Sequence, residues 1–153
     1  MSKSVERVRT AAEDLGLDIT VSEMPSSTRT AFEAAATCGV EVDQIVKSLI
    51  FSSLDGDLYL FLIAGGGKLD MKIGSASAGT KLDRADADQV RSETGFAIGG
   101  VAPIGHEQKI PVFMDPKLLD FSEVIAAAGT QRHVFRVDPK ALLEATGATL
   151  LPR

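Results

Sequence analysis

Two long apolar runs separated by a short polar turn constrain this fold more than any other feature of the sequence. Residues 47–54 and 58–64 are rich in Leu, Ile and Phe, and Asp55-Gly56-Asp57 stands between them. An Asp-Gly step between two such runs is a strong signal for a β-hairpin. Because both runs are almost continuously apolar, we expect their strands to be buried on both faces and to lie at the centre of a sheet.

Shorter segments on either side of the hairpin predict helices and further strands. Helical spacing and capping residues indicate helices over residues 4–15, 28–38, 69–78, 86–94 and 140–146, the second with Ser27 or Thr28 as its N-cap. Apolar runs indicate strands over residues 19–24, 96–98, 110–114, 123–127 and 134–137. This interleaving predicts an α+β (mixed α/β) fold, with helices packed around a mixed sheet. A chain of 153 residues without a repeat or a dividing linker suits a single domain, residues 1–153.

The composition argues against several classes of protein. Hydrophobic residues make up 44% of the chain, which is enough for an ordinary core. The net charge is −5 and the Lys and Arg residues are scattered among acids, so no DNA-binding surface is predicted. No stretch approaches the ~20 apolar residues of a membrane-spanning helix, and the N-terminus lacks the apolar core of a signal peptide. Cys38 is the single cysteine and cannot form an internal disulfide, which together with these features favours the cytoplasm.

Lys47 is the strongest candidate for chemistry. It stands at the head of the first apolar run, directly after Ile45 and Val46. A lysine in this position projects its ammonium beside a partly desolvated wall, where it can hold a carbonyl or phosphate oxygen. The alternative is a solvated lysine that marks the first residue of the strand, which is the commoner situation for lysines.

A second candidate is the loop Gly99-Gly100-Val101-Ala102-Pro103-Ile104-Gly105. Consecutive glycines permit a positive φ and a close approach of the backbone to a ligand, and Pro103 stiffens the exit from the loop. Such a loop can direct N–H donors at a carbonyl or carboxyl oxygen. The alternative is a tight turn between two strands.

The remaining motifs give weaker signals. The segment 65–68 is not a phosphate-binding loop, because Leu62 and Leu69 stand where the Walker pattern requires Gly and Ser or Thr. His106 and His133 are the only histidines, and neither has a partner at ligand spacing, so no metal site is predicted. Each histidine adjoins a glycine-containing turn and lies either in a pocket or at the surface.

Several segments, taken in their order and spacing, resemble one known family. They are Ser27-Thr28-Arg29-Thr30-Ala31, Val46-Lys47-Ser48-Leu49, Thr94-Gly95-Phe96, the loop 99–105 and Ala126-Ala127-Ala128-Gly129-Thr130. Over nearly its whole length the chain resembles the YbaK/ProX family of free-standing aminoacyl-tRNA editing domains. The resemblance implies a twisted mixed sheet that forms a nearly closed barrel surrounded by helices, with no cofactor. It also implies a trans-acting hydrolase that removes a small amino acid, such as Ala or Cys, from mischarged tRNA for proline.

The same resemblance implies roles for individual residues. Lys47 matches the family's lysine, and Gly99 and Gly100 match the loop that positions the ester carbonyl, so these three residues would be catalytic. The residues that would bind the substrate are Thr30, Ser48, Val101, Pro103, His106, Gly129 and Thr130. Helix capping is the alternative role for Thr30. No side-chain nucleophile is implied, so a positioned water or a group of the tRNA itself would attack.

The sequence leaves the amino acid and the class of activity open. Relatives that edit alanine often carry Asn where this chain has Ser48, and relatives that edit cysteine carry an Asp aligned near Val134. The expected partners are the acceptor end of aminoacyl-tRNA and prolyl-tRNA synthetase, for a chain that is a monomer or a homodimer. One alternative is a non-catalytic module that binds a tRNA 3′ end or an aminoacyl-adenylate-like ligand within a larger complex. Another is an enzyme that acts on a small aminoacyl ester unrelated to tRNA.

Overall fold

The computed structural model describes residues 2–25 and 30–152. The helices are α1 (Lys3–Leu15), α2 (Ala31–Cys38), α3 (Met71–Ala78), α4 (Ala87–Thr94) and α5 (Pro139–Thr146). The strands are β1 (Thr20–Glu23), β2 (Val46–Ser53), β3 (Leu58–Ala64), β4 (Leu82–Arg84), β5 (Val112–Met114), β6 (Val124–Ala127), β7 (His133–Val137) and β8 (Thr149–Leu150). Short 3₁₀ helices occupy Val42–Gln44 and Pro116–Asp120.

The predicted hairpin forms the centre of a five-stranded mixed sheet. β2 and β3 pair antiparallel, from Val46 opposite Ala64 to Ser52 opposite Leu58. β4 pairs antiparallel with β2, β5 pairs parallel with β3, and β8 pairs parallel with β5, giving the order β4-β2-β3-β5-β8. The central hairpin, the mixed sheet and the α+β fold class are therefore confirmed.

A second sheet carries one wall of the candidate site. β1, β7 and β6 form a three-stranded antiparallel sheet in that order, and a parallel bridge between Ile45 and Ile125 connects it to the start of β2. Side chains of both sheets, among them Leu62 and Phe135, are fully buried in one core. The nearly closed barrel is not confirmed, because both sheets stay open among the described strands. The edge strands β4 and β8 have only three and two residues, and neither pairs with the second sheet.

The helix boundaries follow from capping residues. Ser2 accepts the Ser4 N–H at 3.1 Å at the start of α1, and Thr30 accepts the Glu33 N–H at 3.1 Å at the start of α2. Thr30 has an extended backbone and is the N-cap, so α2 starts at Ala31 rather than at residue 28. The predicted caps at positions 27 and 28 lie outside the described residues.

Two parts of the sheet prediction differ from the structure. β4 and β8 are absent from the prediction because they are too short to show an alternating pattern. Residues 96–98 form a turn instead of a strand, in which the Gly100 N–H donates to the Ala97 carbonyl at 3.0 Å. Phe96 is fully buried and its N–H donates to the Thr94 hydroxyl at 3.0 Å. The turn brings the glycine loop next to the second sheet, where Gly100 contacts Thr130.

Candidate active site

A small pocket lies where α2, the start of β2 and the paired strands β6 and β7 meet. Its volume is about 130 Å³. Four of the residues predicted to act on a substrate line it, namely Thr30, Lys47, Gly99 and Thr130. Most of the other lining side chains are small or apolar, and they include Ala31, Ala34, Ala127 and Val134, with Gln131 and His133 adding polar groups. We call it the Lys47 pocket.

The backbone around Lys47 fixes the position of its ammonium group. Lys47 lies opposite Ile63 in the β2–β3 ladder, and its Nζ donates a hydrogen bond to the carbonyl of Gly67. The turn that contains Gly67 is itself anchored, because the Gly66 N–H donates to Asp43 Oδ1 at 2.9 Å. Gly67 is the only hydrogen-bond partner of Nζ among the described residues. Since an ammonium carries three N–H donors, two of them remain for a substrate oxygen.

The two glycines predicted to be catalytic have different surroundings. Gly99 has a φ of 96° and lines the Lys47 pocket, and its N–H has no hydrogen-bond partner within the described part of the chain. Gly100 donates its N–H to Ala97, and a Cβ at Gly100 would lie 2.9 Å from the Cα of Thr130. Gly100 is therefore required for close packing against the second sheet, whereas Gly99 offers a free amide to a ligand.

His133 lines the pocket, although the sequence did not assign it to the substrate. It lies opposite Glu23 in the β1–β7 ladder, with Nε2 3.7 Å from Glu23 Oε2. The Thr130 Oγ1 accepts the N–H groups of Arg132 and His133, at 3.1 and 3.2 Å, and lies 2.7 Å from His133 Nδ1. Because the Thr130 oxygen already accepts two hydrogen bonds, its own hydroxyl hydrogen donates to His133 Nδ1. The ring hydrogen of the neutral His133 is then on Nε2, the nitrogen that faces Glu23. Only the register of β7 against β1, which the sequence does not give, reveals this chain of groups.

Ser48 and Val101 line a second cavity, which shares Gly99 with the Lys47 pocket. Its volume is about 270 Å³, and we call it the Ser48 cavity. The Ser48 hydroxyl is buried and has no hydrogen-bond partner among the described residues. Gly100 and Gly129 line a wider hollow of about 400 Å³ that meets the Lys47 pocket at Thr130. The residues predicted to contact a substrate are thus distributed over adjoining surfaces rather than one pocket.

Pro103 and His106 lie apart from these surfaces. Both line another hollow, next to Leu15 and Thr146, and neither lines the Lys47 pocket. The His106 Nε2 donates to the Ala102 carbonyl at 2.6 Å, and the ring makes an edge contact with the ring of Phe96 at 5.8 Å between centroids. These contacts direct His106 into the protein, so its placement gives no support to the predicted contact with substrate.

Lowering the pH is expected to destabilise the protein through His106. Burial lowers the pKa of His106 below its ordinary 6.5, the charge of Arg7 acts in the same direction, and the hydrogen bond to Ala102 opposes both. The unfolded chain therefore binds a proton at a pH where the folded chain does not. The contribution of neutral His106 to the free energy of unfolding is fully present above about pH 6.5, the pKa of the unfolded chain. It decreases as the pH falls below that value, until the pH passes the lower pKa of His106 in the folded chain.

Urea unfolding between about pH 7.5 and about pH 5.5 measures this loss. It should be smaller in His106→Gln, which keeps an N–H donor toward Ala102 and does not titrate. An equal loss of stability in both proteins would assign the pH dependence to other groups.

Other reactive groups are few in the described ranges. Within residues 2–25 and 30–152, no group of three or more His, Cys, Asp or Glu side chains is arranged to hold a metal ion. Cys38 is a free, half-buried thiol. Burial raises its pKa, although the charge of Arg136 opposes this shift, so the neutral form is favoured over the nucleophilic thiolate. No helix in the described ranges has the length and apolar character that a membrane crossing requires.

Comparison with known proteins relates the chain to aminoacyl-tRNA editing. The family model of the aminoacyl-tRNA editing domain matches residues 25–145. YwhH of Bacillus subtilis, a protein of uncharacterised function, is 33% identical over 141 residues, which are 92% of this chain and 90% of YwhH. EbsC of Enterococcus faecalis, a candidate Cys-tRNA(Pro)/Cys-tRNA(Cys) deacylase, is 26% identical over 117 residues, covering 76% of this chain and 71% of EbsC.

The fold has a close match among solved structures. A candidate trans-editing enzyme for prolyl-tRNA synthetase superposes with a TM-score of 0.91 and 48% sequence identity. The match covers 98% of this chain and 96% of the other. The arrangement of the two sheets therefore recurs in a related protein.

Proposed function

The chain belongs to the aminoacyl-tRNA editing domain family, in its YbaK/EbsC branch, and we propose that it is a trans-acting deacylase of mischarged aminoacyl-tRNA. It would act as a single editing domain, residues 1–153, on the acceptor end of the tRNA. One arrangement supports this function above all. Lys47, whose ammonium is anchored to Gly67, lines the same small pocket as Gly99, whose N–H is unbonded among the described residues, and Thr130.

Lys47 and Gly99 are suited to the carbonyl side of the ester. When water adds to the ester carbonyl, negative charge develops on the carbonyl oxygen, and fixed donors stabilise it without reorganising. Lys47 would offer the N–H groups that Gly67 does not use, and Gly99 would offer its backbone N–H. Gly100, Gly129 and Val101 would shape the surfaces that orient the rest of the tRNA end.

Thr130 and His133 are suited to the water side of the same reaction. The attacking water would take the place of the longer of the two N–H contacts to Thr130 Oγ1, the one from His133 at 3.2 Å. It would then pass a proton to Oγ1 as the hydroxyl proton of Thr130 moves to His133 Nδ1, and Glu23 would stabilise the resulting imidazolium. The new bond joins the water oxygen to the carbonyl carbon, and the ester bond to the ribose oxygen breaks. The proton then goes to that ribose oxygen, so the products are a free amino acid and uncharged tRNA.

The size of the Lys47 pocket limits the amino acid. A volume of about 130 Å³ with Ala31, Ala34 and Ala127 in its wall suits a small side chain such as that of alanine or cysteine. Val134, near which cysteine-editing relatives carry an acid, adds an apolar group to the wall. Discrimination by size alone contributes about 1–3 kcal/mol per methylene.

The acceptor would be tRNA for proline, with prolyl-tRNA synthetase as the partner.

Replacing Thr130 with valine is expected to lower kcat about tenfold, because it removes the hydrogen bond of the proton path to His133 Nδ1 at nearly constant shape. It also removes the acceptor of the Arg132 and His133 N–H groups, so urea unfolding must show that the variant is folded. Thr130→Ser keeps the hydroxyl and should retain most of the activity. Deacylation rates at saturating substrate measure the effect. Wild-type kcat in Thr130→Val would exclude Thr130 from the proton path and leave Lys47 and Gly99 unaffected.

Multiple-turnover deacylation of a tRNA panel tests the proposed function. The panel contains tRNA for proline charged with alanine, cysteine, serine or proline, and release of the amino acid is followed with the tRNA in excess over the protein. We expect turnover with a small amino acid and none with proline. Tight binding of every member without turnover would instead favour a non-catalytic module for tRNA ends. Turnover that uncharged tRNA does not inhibit would favour an esterase unrelated to tRNA.

A further inference from the structure

One face of the N-terminal helix lies directly against the backbone that carries the candidate site. Helix α1 precedes residues 25–145, the part of the chain that the family model matches. Its residues Ser4, Arg7 and Ala11 stand three and four positions apart, so they lie on the same side of the helix. Each of them lies against a glycine in another part of the chain, which permits a close approach.

Arg7 contacts both ends of the loop that contains Gly99. At the first end, its guanidinium carbon lies 5.3 Å from the centroid of the Phe96 ring, within the range of a cation–π contact. A Cβ at Gly95 would overlap with its Nη1. At the other end, its Nη2 donates to Glu107 Oε1 at 3.2 Å. One side chain thus joins α1 to both ends of this loop.

Residues 95–107, which we call the Gly99 loop, are closed at their base by the backbone. The Glu107 N–H donates to the Thr94 carbonyl at 3.1 Å. This bond holds the two ends of the loop together, whereas the contacts with Arg7 hold the closed loop against α1. The placement of the loop relative to the rest of the site therefore depends on Arg7.

The guanidinium of Arg7 leaves one of its nitrogens unsatisfied. Nη1 is buried and has no hydrogen-bond partner among the described residues, although the side chain as a whole is 30% exposed. A buried donor without a partner lowers stability, so packing alone would favour an apolar side chain at this position. Arg7 thus departs from the most stable packing, as residues at functional positions commonly do.

The same face of α1 also contacts the turn that contains Thr130. A Cβ at Gly129 would lie 2.8 Å from the Ser4 carbonyl oxygen, and a Cβ at Gly100 would lie 2.9 Å from the Thr130 Cα. The helix, the turn and the loop are therefore packed one on another without room for a further side chain. The distance between the Gly99 N–H and the Thr130 hydroxyl thus depends on how firmly α1 holds the loop.

We propose that Arg7 is a positioning residue for deacylation, which holds the Gly99 loop so that the Gly99 N–H reaches the ester carbonyl. This inference rests on the proposed deacylase function. Arg7 itself lines neither the Lys47 pocket nor the Ser48 cavity, so it acts through the loop and not on the substrate. An oxyanion donor acts in the transition state, so its displacement lowers kcat and leaves KM nearly unchanged.

Replacing Arg7 with methionine tests this role, because methionine has a long side chain without charge or donors. Arg7→Met should lower kcat by about ten- to a hundredfold, since a displacement of about 1 Å near the reacting atoms costs about 10²-fold. Arg7→Lys keeps a cation beside Phe96 and Glu107 and should retain more activity than Arg7→Met. Arg9→Met is the matched control, since Arg9 lies on the same helix and pairs with Glu6 at 3.7 Å. It should keep the wild-type kcat.

The backbone amide of Gly99 reports on the loop without catalysis. In NMR spectra, Arg7→Met should shift the Gly99 and Gly100 amides and speed their hydrogen exchange, whereas Arg9→Met should change neither. An unmoved Gly99 amide in a folded Arg7→Met variant would overturn the proposal. A raised KM with wild-type kcat would overturn it too, by assigning Arg7 to tRNA binding. Urea unfolding shows whether each variant is folded, and Arg7→Lys supports the same comparison if Arg7→Met is not.

Gly99→Ala tests whether Arg7 acts through Gly99. Alanine is strained at the φ of 96°, and its Cβ would lie 2.9 Å from Gln131 Nε2, so this substitution displaces the same N–H. Adding Arg7→Met to Gly99→Ala should cause little further loss of kcat, because residues that act as a unit are not additive. Losses that multiply in full would exclude the route through Gly99.

The amide measurement also separates this proposal from the proposed function. If the wild-type protein deacylated no tRNA of the panel, the deacylase function would be refuted. The Gly99 amide in Arg7→Met would still decide whether Arg7 holds the loop.

Discussion

Replacing Lys47 with alanine is expected to lower the single-turnover rate of deacylation by about 10²–10³-fold. Loss of one preorganised donor to a developing oxyanion has this magnitude in other acyl-transfer sites. The fold should survive, because the substitution removes a single hydrogen bond, to the Gly67 carbonyl, and one such bond contributes about 1 kcal/mol. The rate is measured with tRNA for proline that carries the amino acid released fastest from the panel, and the stability is measured by urea unfolding.

Lys68→Ala is the matched control for Lys47→Ala. Lys68 directly follows Gly67, has the same side chain and is exposed, so it tests whether loss of any lysine near the turn has the same effect. We expect it to keep wild-type activity. If Lys47→Ala and Lys68→Ala were equally active, Lys47 would have no part in the reaction, and its contact with Gly67 would be purely structural.

The sequence predicts the centre of the fold better than its edges. The β2–β3 hairpin follows from local information, because its Asp-Gly turn and both apolar runs are contiguous in the chain. β4 and β8 depend on pairing with strands that are distant in the sequence, and at three and two residues they carry no periodic signal. The nearly closed barrel is not confirmed for the same reason. Closure depends on whether edge strands are long enough to pair, which apolar patterns do not specify.

The candidate site shows the same limit. Lys47 and Gly99 could be selected from the sequence because each stands at a recognisable feature, a strand start and a Gly-Gly step. The link from Thr130 to Glu23 through His133 depends on the register of β7 against β1, which local patterns do not specify. The turn 65–67 shows that composition can mislead. Its glycines suggest a phosphate loop but lack the Walker pattern, and in the fold Gly67 holds Lys47 and Gly65 permits a close approach of two backbones.

Replacing Gly65 with alanine is therefore expected to impair both stability and activity. A Cβ at Gly65 would lie 2.3 Å from the carbonyl oxygen of Val42 and 2.9 Å from the Cβ of Ala31. A backbone oxygen cannot rotate away, so the turn must move, and overpacking of this kind costs about 1–3 kcal/mol. The movement would carry Gly67 and the ammonium of Lys47 with it. A displacement of about 1 Å in a catalytic group lowers activity about 10²-fold.

Gly67→Ala separates this steric effect from a general cost of losing a glycine. The nearest atom to a Cβ at Gly67 is the Ala64 carbonyl oxygen at 3.5 Å, which is an ordinary contact, and its backbone has no positive φ. The substitution should leave stability unchanged or raise it by about 0.4–1 kcal/mol, because alanine restricts the unfolded chain more than glycine. Urea unfolding and deacylation of the same tRNA compare the two variants. Equal behaviour of Gly65→Ala and Gly67→Ala would mean that the contact with Val42 yields without cost, and that the position of Lys47 does not depend on it.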